Sequence, residues 1–188
     1  MGGPELRTLR AADLAVLEPW FRDPQTRRYL GGPEWPARML RHGDEAVGRE
    51  FRGAAQTGAH RYLAVAGDQP VGYIDCGTFD RCTVCAGMGP DGPIITETIP
   101  EPTGSIAFAV DPGRRGQALG RAMIRALIAR AELRSIRLFE AGVEPANAAS
   151  RRCLVGAGFR PSAAEPDFEG MLYYRRAAHP SAPPAAAG

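Results

Sequence analysis

The chain has 188 residues, 44% of them apolar and 23% charged, enough for one domain with its own buried core. A net charge of +2 is too small to mark a nucleic-acid-binding surface, and no apolar run approaches the roughly 20 residues of a membrane-spanning helix. All 23 basic residues are arginines, which excludes any chemistry built on a lysine.

"ELRTLR" (Glu5–Arg10) alternates and predicts a first strand. "AADLAVLEPWF" follows at helical spacing, with Asp13 as its cap and Leu14, Leu17, Trp20 and Phe21 on one face. Asp23-Pro24 breaks that helix, and "QTRRYL" predicts one short helix more. "DEAVGREFRGAAQ" (44–56) reads as a further helix with a polar face. "RYLAVAG" and "PVGYIDCG" read as an antiparallel hairpin turning at Asp68-Gln69.

Residues 77–102 are rich in Gly and Pro and predict a long connection, of the kind that often carries function. "TGSIAFAV" resumes as a strand, a helix is predicted over 116–131, and "SIRLFEAGV" is another strand. "NAASRRCLVGAGF" is a helix capped by Asn147 and closed by Gly158, and "FEGMLYYRR" is the last strand. Met1 to Arg10 has no apolar leader, and four cysteines suit a reducing compartment, so a soluble cytoplasmic chain is expected.

The stretch "FAVDPGRRGQALGRAM" (108–123) sets a Gly-rich turn between a strand and a helix start. Its amides from Gly116 to Gly120, flanked by Arg114, Arg115 and Arg121, offer donors to an anion at a helix N-terminus. It lacks the Lys-Ser/Thr pair of a nucleotide P-loop and the spacing of a dinucleotide fingerprint. The residues alone leave two readings open: a pyrophosphate cradle, or a Gly-rich connection with solvated arginines.

"VDPGRRGQALGRAMI" resembles the acetyl-CoA-binding motif of the GCN5-related N-acetyltransferases (GNAT), Arg/Gln-x-x-Gly/Ala-x-Gly/Ala, filled here by Arg115, Ala118 and Gly120 after Val110-x-Pro112. "VEPANAASRRCLVGAGF" is similar to the same family's second block, with Val143, Asn147, Ser150, Gly158 and Phe159 in place. In motif form the chain is nearest the ribosomal-protein N-terminal and aminoglycoside branches. The resemblance implies an α/β (α+β) fold with a mixed central sheet, a splayed mid-sheet pair and flanking helices. Residues 1–177 would form the domain and 178–188 a disordered Ala/Pro tail.

The resemblance also implies acetyl-CoA as co-substrate, no metal, and direct transfer to a primary amine. Backbone groups of Phe108 and Val110 would hold pantetheine, and Arg115, Gly116, Gln117, Ala118, Leu119, Gly120 and Arg121 the pyrophosphate. Asn147 would meet the pantetheine arm and Arg152 the nucleotide end. The thiolate-supporting Tyr of many members is Leu154 here, so Ser150 becomes the thiol partner, unless its hydroxyl only serves the helix backbone. Glu169 leads the candidates for general base, with Glu101 and Glu140 behind it. Tyr173 and Tyr174 are donors to the thiolate or packing residues.

Cys76, Cys82 and Cys85 lie close in sequence but lack the paired spacing of a zinc site, and His42, His60 and His179 add none; unremarkable thiols or a Cys82–Cys85 disulfide are the other readings. Asp80, Asp91, Glu97 and Glu101 make the 77–102 segment acidic, suited to a cationic amine or simply solvated. Trp20, Phe21, Tyr29 and Trp35 are acceptor wall or core. The expected function is acetyl transfer to a small cationic amine. The alternatives are a peptide N-terminus of the ribosomal-protein type, and an acyl-CoA-binding module without turnover. No nucleic-acid or membrane partner is expected, and the chain would be a monomer or homodimer.

Overall fold

The structure, a computed structural model, describes residues 3–42 and 45–178. Among the described residues, ten strands and five α-helices run in the order β1 (Glu5–Thr8), α1 (Leu14–Arg22), α2 (Pro24–Tyr29), α3 (Trp35–His42), β2 (Glu50–Phe51), β3 (Ala54–Ala66), β4 (Gln69–Phe79), β5 (Cys82–Gly89) and β6 (Gly92–Ile99). There follow β7 (Thr103–Val110), α4 (Leu119–Ile128), β8 (Leu138–Val143), α5 (Ala148–Gly156), β9 (Arg160–Pro161) and β10 (Leu172–Ala177). The central sheet has the order β1-β3-β4-β7-β8-β10-β9, with β2 beside β3; β5 and β6 form a separate two-stranded sheet. All pairs are antiparallel except β7–β8, which makes the sheet mixed.

Each face of the sheet has its own core. Met123, Ile124 and Leu127 of α4 pack with Ile74, Ile106, Phe139 and Leu154 on one face. Gly72 of β4 allows that approach, because a Cβ there would collide with Met123 and lie 2.9 Å from the Ala109 carbonyl oxygen. On the other face Leu17, Trp20 and Phe21 of α1 cover Leu63, Tyr73 and Ala109. Phe21 stacks on Trp35 at 5.5 Å, and Tyr73 meets Trp35 edge-on at 5.6 Å. Trp20 and Phe21 are therefore core, as one of their two readings held.

Several predicted elements differ from those observed. The helix expected over 44–56 is the β2–β3 hairpin: Arg52 (φ 52°) and Gly53 (φ 81°) make a left-handed two-residue turn that a helix cannot contain. Its charges recur at helical spacing only by coincidence. The connection expected over 77–102 is the β5–β6 hairpin, and Pro90-Asp91-Gly92, with Gly92 at φ 120°, was its turn signature. Helix α3 was not anticipated, since Pro36 reads as a breaker although it falls in the first turn, where its missing N–H costs nothing.

Asp13 does not cap α1 through its side chain; it accepts from Arg7 and from the Arg10 N–H at 2.8 Å, fastening the chain just before the helix. The helix expected over 116–131 is the shorter α4. Asp44, His179 and the 179–188 tail lie outside the described residues, and no candidate membrane-spanning helix occurs among those described.

Candidate active site

Strands β7 and β8 pair only from Thr103 to Ser105 against Leu138 to Glu140. Beyond that point β7 remains paired to β4 as far as Val110, and β8 to β10, so the two strands splay. A cleft opens there between Ile106, Ala107 and Phe108 on one side and Ala141, Gly142 and Val143 on the other, with Ser150 and Asn147 at its border. Backbone donors and acceptors along the freed edge of β7 have no strand to pair with.

The cleft runs into a larger cavity of about 350 Å³ at the start of α4. The 111–118 segment shapes its floor. Asp111 accepts the Gly113 N–H at 3.0 Å, Gly116 takes φ 82° and Ala118 φ 59°, and α4 begins at Leu119. A left-handed alanine costs about 1–2 kcal/mol. A left-handed residue set directly before a helix start is the backbone arrangement from which anion nests are built at the positive end of a helix. Gly120 is part of the close packing beneath: a Cβ would lie 3.0 Å from Cys153 Sγ and 3.2 Å from Phe108 Cε2.

All the residues expected to bind the cofactor line this cavity except Gln117, and Ser150 lines it as well. Asn147 caps α5 by accepting the Ser150 N–H at 3.2 Å, which holds both side chains at the junction of cleft and cavity. Arg115 is placed differently from a simple phosphate ligand. Its guanidinium reaches across to α2, bonding Asp23 Oδ1 at 2.6 Å, Thr26 Oγ1 at 2.7 Å and Gln25 Oε1 at 3.1 Å.

The Arg115 hydrogen bond holds the Asp23 carboxyl below its ordinary range, and Asp23 also caps α2 through the Thr26 N–H at 3.0 Å. This one carboxylate therefore ties the Gly-rich turn to the helix wall. Asp23→Ala is expected to cost about 1–2 kcal/mol in denaturant unfolding, a cap plus a partly exposed ion pair. Asp23→Asn, which keeps the cap, should cost less than half of that.

The residues expected for proton transfer do not gather in the cleft. Glu169 sits in the turn before β10 rather than on the strand, and it pairs with Arg52. Its N–H and that of Met171 both donate to Asp167 Oδ1, at 3.0 and 2.9 Å, which fixes that turn. Glu140 accepts from Cys82 Sγ at 3.1 Å and from Arg175 Nε at 3.3 Å, and the carbonyl of Glu101 accepts from Thr103 Oγ1. Tyr174 is buried, with its hydroxyl accepting from Arg151, and Tyr173 accepts from Arg52. Burial pushes the Cys82 thiol up to about 12, so it is inert as a nucleophile. All four cysteines are free, and no group of three metal-ligating side chains gathers among the described residues.

A cavity of about 340 Å³ lies between the β5–β6 hairpin and the 162–171 segment. Glu97, Glu165 and Asp167 face it with Arg52 and Arg175, and Met171 borders both this cavity and the β7–β8 cleft. Of its far wall, "AEPDFEG", the sequence reading places only "FEG", inside the last strand, whereas β10 begins at Leu172.

A freed strand edge ending at a helix N-terminus accepts an extended amide-bearing chain with a phosphate at its far end, which is the shape of an acyl-CoA. Fold and site together define an acyl-CoA-dependent transferase. The chain belongs to the acetyltransferase (GNAT) family, whose profile matches residues 15–159. A Bacillus subtilis (strain 168) protein described as uncharacterized N-acetyltransferase YfmK is 25% identical over 170 residues, 88% of this chain and 91% of that one.

Among solved structures, aminoglycoside acetyltransferase AAC(6')-Ib in complex with coenzyme A is similar with a TM-score of 0.66 and 21% identity, covering 93% of this chain and 95% of that one. Spermidine N-acetyltransferase from Vibrio cholerae, in complex with CoA and spermine, gives 0.59 and 12%, with 92% of each chain covered. At these identities the likeness to both structures is one of fold. The protein is an N-acetyltransferase that uses acetyl-CoA.

Proposed function

We propose that the protein acetylates a primary amine of a small cationic molecule, with residues 1–177 acting as one catalytic domain. The acidic cavity that shares the Met171 side of the β7–β8 cleft is the observation that carries this reading. Arg175 is already paired with Glu140, and Arg52 with Glu169 and Asp167. Glu97 and Glu165 therefore leave negative charge in surplus where an acceptor would wait. The enclosing hairpin and loop favour a small molecule over a peptide, which would need an open groove.

Acetyl-CoA supplies the acetyl thioester. The open edge of β7 at Phe108 and Val110 would hold pantetheine, and the amides from Gly116 to Arg121 the pyrophosphate. Arg121 and Arg152 stand at the rim for the nucleotide end, while Arg115 keeps the turn docked on α2. Asn147, whose oxygen is used by its cap, retains its NH₂ as a donor to the pantetheine arm. Ser150 borders both cleft and cavity, a position from which its hydroxyl donates to a departing thiolate.

The test is thiol release from acetyl-CoA over spermidine, an aminoglycoside, neutral amines and peptides with free N-termini. Release with the polycations supports the reading, and release with peptides alone overturns it. Glu97→Gln and Glu165→Gln are each expected to raise KM for the cationic acceptor about fivefold, as removal of about 1 kcal/mol of attraction would. KM for acetyl-CoA should stay unchanged, and the effect should shrink in high salt.

A further inference from the structure

The cleft has a second neighbour, on the side away from Met171. Ala107, on its border, lies directly across from Asp75 of β4, and Asp75 lies directly across from Arg61 of β3. Directly opposed residues of antiparallel strands project to the same face. Only a methyl group therefore stands on β7 between the cleft and the Asp75 carboxylate.

Asp75 is 8% exposed and borders a cavity of about 270 Å³ shared with Arg38, Gln56, His60 and Arg61. Its Oδ2 accepts from the Tyr73 hydroxyl at 3.1 Å. Asp13, also buried, makes the contrast: it is gripped by Arg7, whose hydrogen bond holds its carboxyl below the ordinary range. Burial instead pushes the Asp75 carboxyl up to about 6, against the opposing pull of the Tyr73 hydrogen bond and the Arg61 charge.

Among the described residues, the charged and titratable groups around Asp75 are Arg38 from α3, His60 and Arg61 from β3, and Tyr73 and Cys76 from β4; β7 presents uncharged Ala107 opposite it. Burial lowers the His60 imidazole and raises the Tyr73 hydroxyl and the Cys76 thiol, so all three are neutral near pH 7. Asp75 gains its negative charge as pH rises through about 6.

We propose that Asp75 takes the proton that the acceptor ammonium must lose before it can attack. Neighbouring strands lie about 4.8 Å apart, and a water bridging past the Ala107 methyl would carry the proton from the open edge of β7 to the carboxylate. The ammonium gives a proton to the Asp75 carboxylate, and the freed nitrogen lone pair attacks the thioester carbonyl carbon. A C–N bond forms and the C–S bond breaks, and a second nitrogen proton goes to the departing sulfur. Asp75 then returns its proton to solvent through its cavity. The inference rests on the amine-acetylating reading, but not on which amine is used.

The test compares two acceptors that differ in whether they need a base. Spermidine is protonated near pH 7, whereas hydroxylamine is largely neutral. Asp75→Asn is expected to lower kcat/KM for spermidine by about 100-fold and to abolish the rise of activity through pH 6, with CoA affinity unchanged. The loss for hydroxylamine should be no more than about a tenth as large. Equal losses for both amines, or a retained acid limb, overturn the proposal. If the wild-type protein releases thiol with neither probe, the small-amine reading falls. Carbon-13 titration of Asp75 then decides the inference: a midpoint near 6 sustains it, and one in the ordinary carboxylate range overturns it.

Discussion

The Gly120→Glu protein is expected to lose CoA affinity by on the order of a thousandfold while remaining folded. Gly120 stands in the first turn of α4, where unpaired amides and the helix dipole favour an anion. A carboxylate placed there brings a like charge within about 4 Å of the pyrophosphate site, which costs roughly 4 kcal/mol at an effective dielectric near 20. The new side chain must also pass Cys153 Sγ and Phe108 Cε2, which a Cβ would already meet at 3.0 and 3.2 Å.

Calorimetric titration with CoA, with circular dichroism as the check on folding, measures the effect. Gly120→Ala separates crowding from charge: it adds the same Cβ without the carboxylate and should stay within about tenfold of wild type, a cost near 1 kcal/mol. Unchanged affinity in a folded Gly120→Glu protein would remove the anion site from this turn.

The second large effect is on stability, and its sign is opposite to the usual one for losing a polar contact. Asp75→Asn is expected to stabilise the fold near pH 7 by about 2 kcal/mol. Burial holds the native Asp75 carboxyl near 6, above its ordinary value of 3.8. Below both values the native and unfolded chains are protonated alike, and the group contributes no pH dependence. Between them the unfolded chain releases a proton that the native chain keeps, so stability falls as pH rises. Above about 6 the penalty is complete, roughly 3 kcal/mol for two pKa units. Asparagine removes the charge and can still accept from Tyr73, although its amide must be buried in turn.

Urea unfolding at several pH values distinguishes the two proteins. Wild type should lose stability between about pH 4 and 6 relative to Asp75→Asn, and the curves should converge below that range. Parallel curves would mean that the carboxyl titrates normally. A carboxylate that weakens the fold is one that packing alone would not retain.

Much of the site could be read directly because its parts are local. The turn at 112–120 needs Gly116 at positive φ, amides without side-chain obstruction and an immediate helix start, all encoded within ten residues. The Asn147 cap and the Gly158 stop, at φ 91°, are likewise written within one turn of α5. The partners of Arg115 were not legible. Asp23, Gln25 and Thr26 precede it by about ninety residues, and only the docking of α2 brings them to it. Asp75 did leave a trace, as the one acid inside the apolar run "PVGYIDCG". A buried strand does not take a carboxylate without a reason.

The strand–turn–helix at 108–123 and the helix at 147–156 were legible directly, because backbone conformation and capping depend on near neighbours, and the mixed α/β class was legible through the family resemblance those two motifs carry. Long-range packing set the parting of β7 and β8 after Ser105, the hairpin over 77–102 that walls an acidic cavity, the pairing of Glu169 with Arg52, and the place of Asp75 across Ala107 from the cleft. Those outcomes depend on strand register, ion-pair choice and burial, which are set between residues far apart in the chain.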